Sequence, residues 1–162
     1  AAVVASLDAS ARAEILALLM RLKYERGLGA LVITHDLGLA WNIADRVAVM
    51  YLGRIVEVGT VEEVLLEPKH PYTRSLLSVL PGTLSHRRPI LLTGEPPDPT
   101  AVPAGCRFHP RCPAAAELAP DDPRRELCHG RALPPLTGSG RPTSLASCHL
   151  IPSPALSPSG PR

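Results

Sequence analysis

Ala30-Leu31-Val32-Ile33-Thr34-His35-Asp36-Leu37 is the stretch on which the fold class turns. Residues 30–34 carry no charge and include two β-branched apolar side chains, which suits a strand buried on both faces, as in a parallel sheet covered by helices. Asp36 then serves as the N-cap of a helix through Leu37, Leu39, Ala40, Trp41 and Ile43. Upstream, ARAEILALLMRLKYERG (residues 11–27) sets Ile15, Leu18, Leu19 and Leu22 at helical spacing, with Asp8 ahead of it and Gly27 as its stop. Downstream, a second strand runs from Arg46 to Tyr51. Leu52-Gly53 makes a turn, and Arg54-Ile55-Val56-Glu57-Val58 returns as the other arm of a hairpin. Thr60-Val61-Glu62-Glu63 matches a capping box and opens a helix that stops before Pro68. The order helix, strand, helix, strand, strand, helix predicts the trailing part of an α/β sheet with a β-hairpin at its edge. The sheet is expected to be incomplete.

Composition divides the chain behind these elements. All 19 prolines of the 162 residues lie after residue 67. Residues 1–67 carry 6 Lys and Arg against 9 Asp and Glu, a balance of −3; residues 68–162 carry 11 against 6, a balance of +5. A helix is still expected over residues 71–80, with Pro71 in its first turn. Ile90-Leu91-Leu92 reads as a short strand, whereas Glu95-Pro96-Pro97-Asp98-Pro99 fits neither helix nor central strand. No run of 18 apolar residues is present, so no helical membrane span is expected. The opening residues lack the basic start of a signal peptide, and Asp8 interrupts them. A start at Ala1 rather than Met suggests a fragment or a trimmed product. A net charge of +2, one Phe and three Tyr argue against a nucleic-acid partner.

Two features carry chemistry. His35 stands at the carboxyl end of the apolar stretch, where open α/β sheets bind ligands, and its imidazole could donate to a phosphate oxygen. On position alone, a cap or a carbonyl bond is the preferred reading. Cys106, Cys112, Cys128 and Cys148 are separated by five, fifteen and nineteen residues, unlike the paired spacing of a zinc ribbon. Without a secretion signal, such a set favours a metal over disulfides. Four thiolates could hold an iron–sulfur cluster, and His109, His129 and His149 keep zinc with mixed ligands open. Four free thiols are the bland alternative. A metal would supply folding energy to a segment poor in apolar residues.

Taken in order, Ser6-Leu7-Asp8, Leu31 to Leu37 and Ala44 to Gly59 resemble the C-terminal part of an ABC-transporter ATPase domain. Pro68-Lys69-His70-Pro71-Tyr72-Thr73-Arg74-Ser75-Leu76-Leu77 resembles a segment of the ATP-binding subunits of oligopeptide and dipeptide importers. Gly105-Cys106-Arg107-Phe108-His109-Pro110-Arg111-Cys112-Pro113 resembles that subfamily's cysteine-bearing extension. The resemblance implies a C-terminal part of a P-loop ATPase domain over residues 1–80. It implies a proline- and cysteine-rich extension over 81–162, with a disordered tail from about 151. It further implies ATP and Mg2+ as ligands, His35 as a switch histidine contacting the γ-phosphate, and Ser6, Leu7 and Asp8 as a D-loop at a dimer interface. The implied partners are a second ATP-binding subunit, transmembrane permease subunits and, indirectly, a peptide-binding protein. The implied location is the cytoplasmic face of the membrane. Members of the subfamily can carry an iron–sulfur cluster on cysteines of the extension; here about nine extra residues, near Ala119 to Leu127, separate Cys112 from Cys128.

The phosphate-cradling G-x-x-x-x-G-K-[S/T] loop and a Leu-Ser-Gly-Gly-Gln-like signature do not occur in the 162 residues. Ala1 and Ala2 fall where the family carries an Asp-Glu pair. The expectation is that this polypeptide alone does not hydrolyse ATP. The alternative reading is a small cysteine-rich metal-binding or regulatory module built on an α/β remnant.

Overall fold

The computed structural model describes residues 9–80, 89–95, 97–130, 133–138 and 143–151. The chain divides into two compact units, residues 1–45 and 46–162.

In the first unit, α1 (Ala9–Arg26) ends on Lys23 and Arg26, cations that complement the carbonyl end of the helix, and Gly27 follows at φ +63°. α2 (Leu37–Ile43) is capped by Asp36, whose Oδ1 accepts from the Leu39 amide at 2.9 Å. The strand expected over residues 30–34 is absent. Those residues join no ladder, and Leu31 and Ile33 are 89% and 74% exposed. A strand buried on both faces needs neighbours on both sides, and no described segment of the chain supplies them.

The second unit is built on an open antiparallel sheet of order β1-β2-β4-β3. β1 (Arg46–Tyr51) and β2 (Arg54–Thr60) form the expected hairpin. Leu52 (φ +45°) and Gly53 (φ +75°) both adopt the left-handed conformation that a two-residue turn needs to match strand twist. Leu52 bears a side chain in that region, and the Arg107 guanidinium donates to its carbonyl. A register shift between Val49 and Met50 marks a bulge. β2 is a central strand, because β4 (Leu145–Ala146) pairs along its other side through Glu57↔Ala146 and Val58↔Leu145. β3 (Thr137–Gly138) completes the sheet. Ile90-Leu91-Leu92 is not a strand, and Leu91 is exposed. Its backbone is held instead at Ile90, whose amide donates to the Ser78 hydroxyl.

Helices close over the hairpin. α3 (Val61–Leu66) opens with the predicted capping box. The Glu63 amide donates to the Thr60 hydroxyl at 3.2 Å, and the Thr60 amide donates to the Glu63 carboxylate at 3.0 Å. α4 (Pro71–Ser78) starts with Pro71 in its first turn. Residues 109–111 form a 3₁₀ turn, followed by α5 (Pro113–Ala116) and α6 (Pro123–Gly130). Val49, Val56, Val64, Leu65, Leu77 and Phe108 are buried in the core. Thr143 donates to the Glu63 carboxylate, tying the far end of the chain to α3.

Candidate functional site

His70-Pro71-Tyr72-Thr73 fold into a clasp around Glu57. The Glu57 carboxylate is fully buried and accepts from the Lys69 amide at 2.6 Å and the His70 amide at 3.0 Å. Burial raises its pKa, with the neighbouring Thr73 hydroxyl and the two amides pulling the other way. The His70 imidazole caps α4 through Nδ1, which accepts from the Tyr72 amide at 3.1 Å. Only 1% of His70 is exposed, and burial lowers its pKa to about 4. Tyr72 stacks on Tyr51 with ring centroids 4.7 Å apart, and Phe108 meets Tyr51 edge-on at 5.2 Å. The segment thus locks the sheet to α4 and to the loop that carries Cys106.

Cys106 precedes the 3₁₀ turn, Cys112 stands at the N-cap position of α5 without a side-chain bond to it, Cys128 lies in the last turn of α6, and Cys148 follows β4. Residues 119–127, the extra stretch between Cys112 and Cys128, include most of α6. That helix carries Cys128 back so that its carbonyl accepts from the Cys106 amide at 2.8 Å. Gly105 permits this approach. At φ +71°, a Cβ there would stand 2.6 Å from the Cys128 and His129 carbonyl oxygens. Burial pushes the thiols of Cys112 and Cys128 up to about 11, and the other cysteines add to both shifts. Cys106 and Cys148 are raised mainly by burial as well. Cys106 and Cys128 are joined through their backbones.

Even so, among the described residues no three Cys, His, Asp or Glu side chains converge closely enough to hold a metal ion. The iron–sulfur or zinc ligand set read from the sequence is therefore not assembled here. The thiols pack as neutral, small apolar groups, which requires no common centre. His109 and His129 stack with centroids 4.2 Å apart, and His109 Nδ1 lies 2.8 Å from the Cys106 carbonyl oxygen, an acceptor that holds the proton on Nδ1.

His35 lies exposed in the bend before α2, and the helix is capped by Asp36 rather than by the imidazole. It belongs to the unit of residues 1–45, whereas all four cysteines belong to the other. Ser6, Leu7 and Asp8 lie outside the described residues.

A cavity of about 550 Å³ opens beside the hairpin turn, with Arg54, Arg107, Ile55 and Leu136 among its lining residues. Neither it nor the Glu57 clasp was foreseen from sequence. A signal existed for the clasp, since Glu57 is the one charge within the apolar run Ile55-Val56-Glu57-Val58.

Residues 56–117, which span β2, the clasp and the first two cysteines, match the family model described as the oligopeptide/dipeptide transporter, C-terminal region. The comparison with curated proteins extends the likeness beyond residues 56–117. The chain is 43% identical to the probable peptide ABC transporter ATP-binding protein y4tS of Sinorhizobium fredii, over 91% of the chain and 44% of that relative. It is 49% identical to the dipeptide transport ATP-binding protein DppF of Haemophilus influenzae, over 70% of the chain and 36% of the relative. It is 47% identical to the oligopeptide transport ATP-binding protein OppF of Escherichia coli, over 69% and 35%. The resemblance to ATP-binding subunits of peptide ABC transporters thus holds across most of the chain, which spans less than half the length of these relatives. No helix among the described residues is long and apolar enough to cross a membrane.

Proposed function

We propose that the chain forms the C-terminal part of the ATP-binding subunit of an ABC importer that drives peptide uptake. The observation that carries this reading is the clasp: the His70 to Thr73 segment that the family comparison matches is folded around Glu57, not left as surface loop. In this role His35 contacts the γ-phosphate of ATP, with Mg2+ bound elsewhere in the site. Ser6, Leu7 and Asp8 lie at the junction with a second ATP-binding subunit. The subunit sits peripherally on the cytoplasmic face, docked on transmembrane permease subunits that receive peptide from a binding protein. The 162 residues contain no phosphate-loop lysine, so the isolated chain is expected to release no phosphate from ATP above a no-protein blank. Source cells lacking the gene should lose uptake of a labelled dipeptide. Wild-type copies should restore it, and His35→Ala copies should not. Unchanged uptake in the deletion strain would refute the assignment.

The proposal extends to a metal on Cys106, Cys112, Cys128 and Cys148, as an iron–sulfur cluster with zinc as the alternative. The bond from the Cys106 amide to the Cys128 carbonyl, which sets two of the four side by side, supports it; the four are not gathered as ligands in the folded chain, so binding would have to draw them together. Binding would require thiols raised to about 11 to lose protons. Anaerobic purification should yield a visible charge-transfer band or stoichiometric zinc; a colourless, metal-free and well-folded protein would rule out both. A second reading, a small metal-binding or regulatory module, is favoured by one observation: residues 46–162 are a compact unit with their own sheet. It predicts stoichiometric metal and a stable fold without any ATPase partner.

A further inference from the structure

We propose that His109 and His129 form a binding site for a divalent transition-metal ion, separate from the four cysteines. The two imidazoles belong to different elements, the 3₁₀ turn and the last turn of α6, yet their ring centroids lie 4.2 Å apart. Two imidazoles on one ion, with metal–nitrogen bonds of about 2.0–2.1 Å, hold their centroids about 5 Å apart. A small outward swing of one ring reaches that spacing, and the exposed His129 has room to make it. The ligating nitrogen of His109 is already selected. Its Nδ1 lies 2.8 Å from the Cys106 carbonyl oxygen and carries the proton, which leaves the lone pair on Nε2. Metal-binding histidines commonly hold such a bond to a backbone carbonyl.

The backbones beneath the two rings are fixed to each other. The Cys106 amide donates to the Cys128 carbonyl at 2.8 Å, and the His109 amide donates to the Cys106 carbonyl at 2.9 Å. Gly105 brings the loop so close to α6 that a Cβ there would stand 2.6 Å from the His129 carbonyl oxygen. Loop and helix are thus joined before an ion arrives, and binding has little backbone left to order. The donors decide the class of ion. Imidazole nitrogen suits zinc, nickel and copper, whereas magnesium and calcium take oxygen ligands. Among the described residues no third Cys, His, Asp or Glu side chain converges on the pair, so water fills the other positions and the ion exchanges with solvent. Cys106, Cys112 and Cys128 are buried, whereas the pair reaches solvent at His129. If the cysteines take a metal, the pair is where the ion first lands. That use rests on the proposed function, but the binding itself does not.

Titration calorimetry of the metal-free full chain with nickel chloride tests the site, read beside ultraviolet absorbance and thermal melting. Saturation by a single ion per chain is expected, with no thiolate-to-nickel charge-transfer band. Melting should rise with nickel, because the ion ties the Cys106 loop to α6 and binds only the folded chain. His129→Ala, at an exposed position, should weaken binding by about tenfold or more and remove the rise, while its own metal-free melting stays that of wild type. His109→Gln, on the other element, should weaken binding likewise. Absence of saturation at millimolar nickel, unchanged affinity in His129→Ala, equal binding of magnesium, or a thiolate band would each overturn the proposal. None of these outcomes bears on whether deletion of the gene abolishes uptake.

Discussion

His70 makes the stability of the second unit depend on pH in a calculable way. In the folded chain its pKa is about 4 against an ordinary 6.5, because the ring is buried. Nδ1 also accepts from the Tyr72 amide, so a proton placed there would break the α4 cap. The sign follows from which state takes up the proton. A depressed folded pKa contributes stability that is fully present above 6.5 and is lost as pH falls through about 4, because only the unfolded chain is protonated between those values. At 1.36 kcal/mol per pH unit, the interval corresponds to about 3 kcal/mol. Glu57 acts with the opposite sign. Its raised pKa means that protonation on acidification favours the folded state. The two must therefore be separated by substitution. His70→Asn keeps an acceptor at the helix start but does not titrate. Urea unfolding followed by far-UV circular dichroism, near pH 7 and near pH 4, gives the pH-dependent loss for each protein. Wild type should lose about 3 kcal/mol more than His70→Asn over that interval. Equal losses in the two proteins would refute the reasoning.

Gly105→Ala should lower stability by about 2–4 kcal/mol, since the new Cβ meets two backbone oxygens that cannot move aside without displacing α6; a thermal melt checks this. Glu57→Ala strands the Lys69 and His70 amides in the interior and should cost about 2–4 kcal/mol in urea unfolding. Glu57→Gln, which retains an acceptor, should cost clearly less. Thr60→Ala removes the α3 cap and should cost about 1 kcal/mol by the same measurement. In metal-free protein near pH 7.4, Cys112 and Cys128 should react with iodoacetamide far more slowly than free thiol and gain normal reactivity in denaturant, because thiols raised to about 11 hold almost no thiolate.

Signals confined to a few neighbouring residues were legible. Asp36, Thr60 with Glu63, and Pro71 each announced a helix start, and Leu52-Gly53 announced the turn. Features that depend on distant partners were not. Residues 30–34 have the composition of a buried strand, yet composition cannot supply the flanking strands that bury one, and the segment stays exposed. β3 and β4 are two residues each, too short to show alternation; β4 exists because β2 offers it an edge, and β3 because β4 does. For the cysteines, spacing showed about nine extra residues before Cys128, and the fold places part of that stretch in α6 and brings the Cys128 carbonyl to the Cys106 amide. The lining of the cavity comes from the hairpin turn, the Cys106 loop and the stretch before β3, and no linear pattern joins them.

The pairing of β2 with β4 sets an order for folding. Glu57 and Val58 leave the ribosome long before Ala146 and Leu145, their ladder partners. Until those residues emerge, one side of β2 can pair only with whatever strand is near. The hairpin, the capping box and the Glu57 clasp require only residues up to about 73 and can form first, as local contacts do. The last ladder must await nearly the whole chain, so a ribosome stalled inside the proline-rich stretch would release a half-finished sheet prone to join its neighbours.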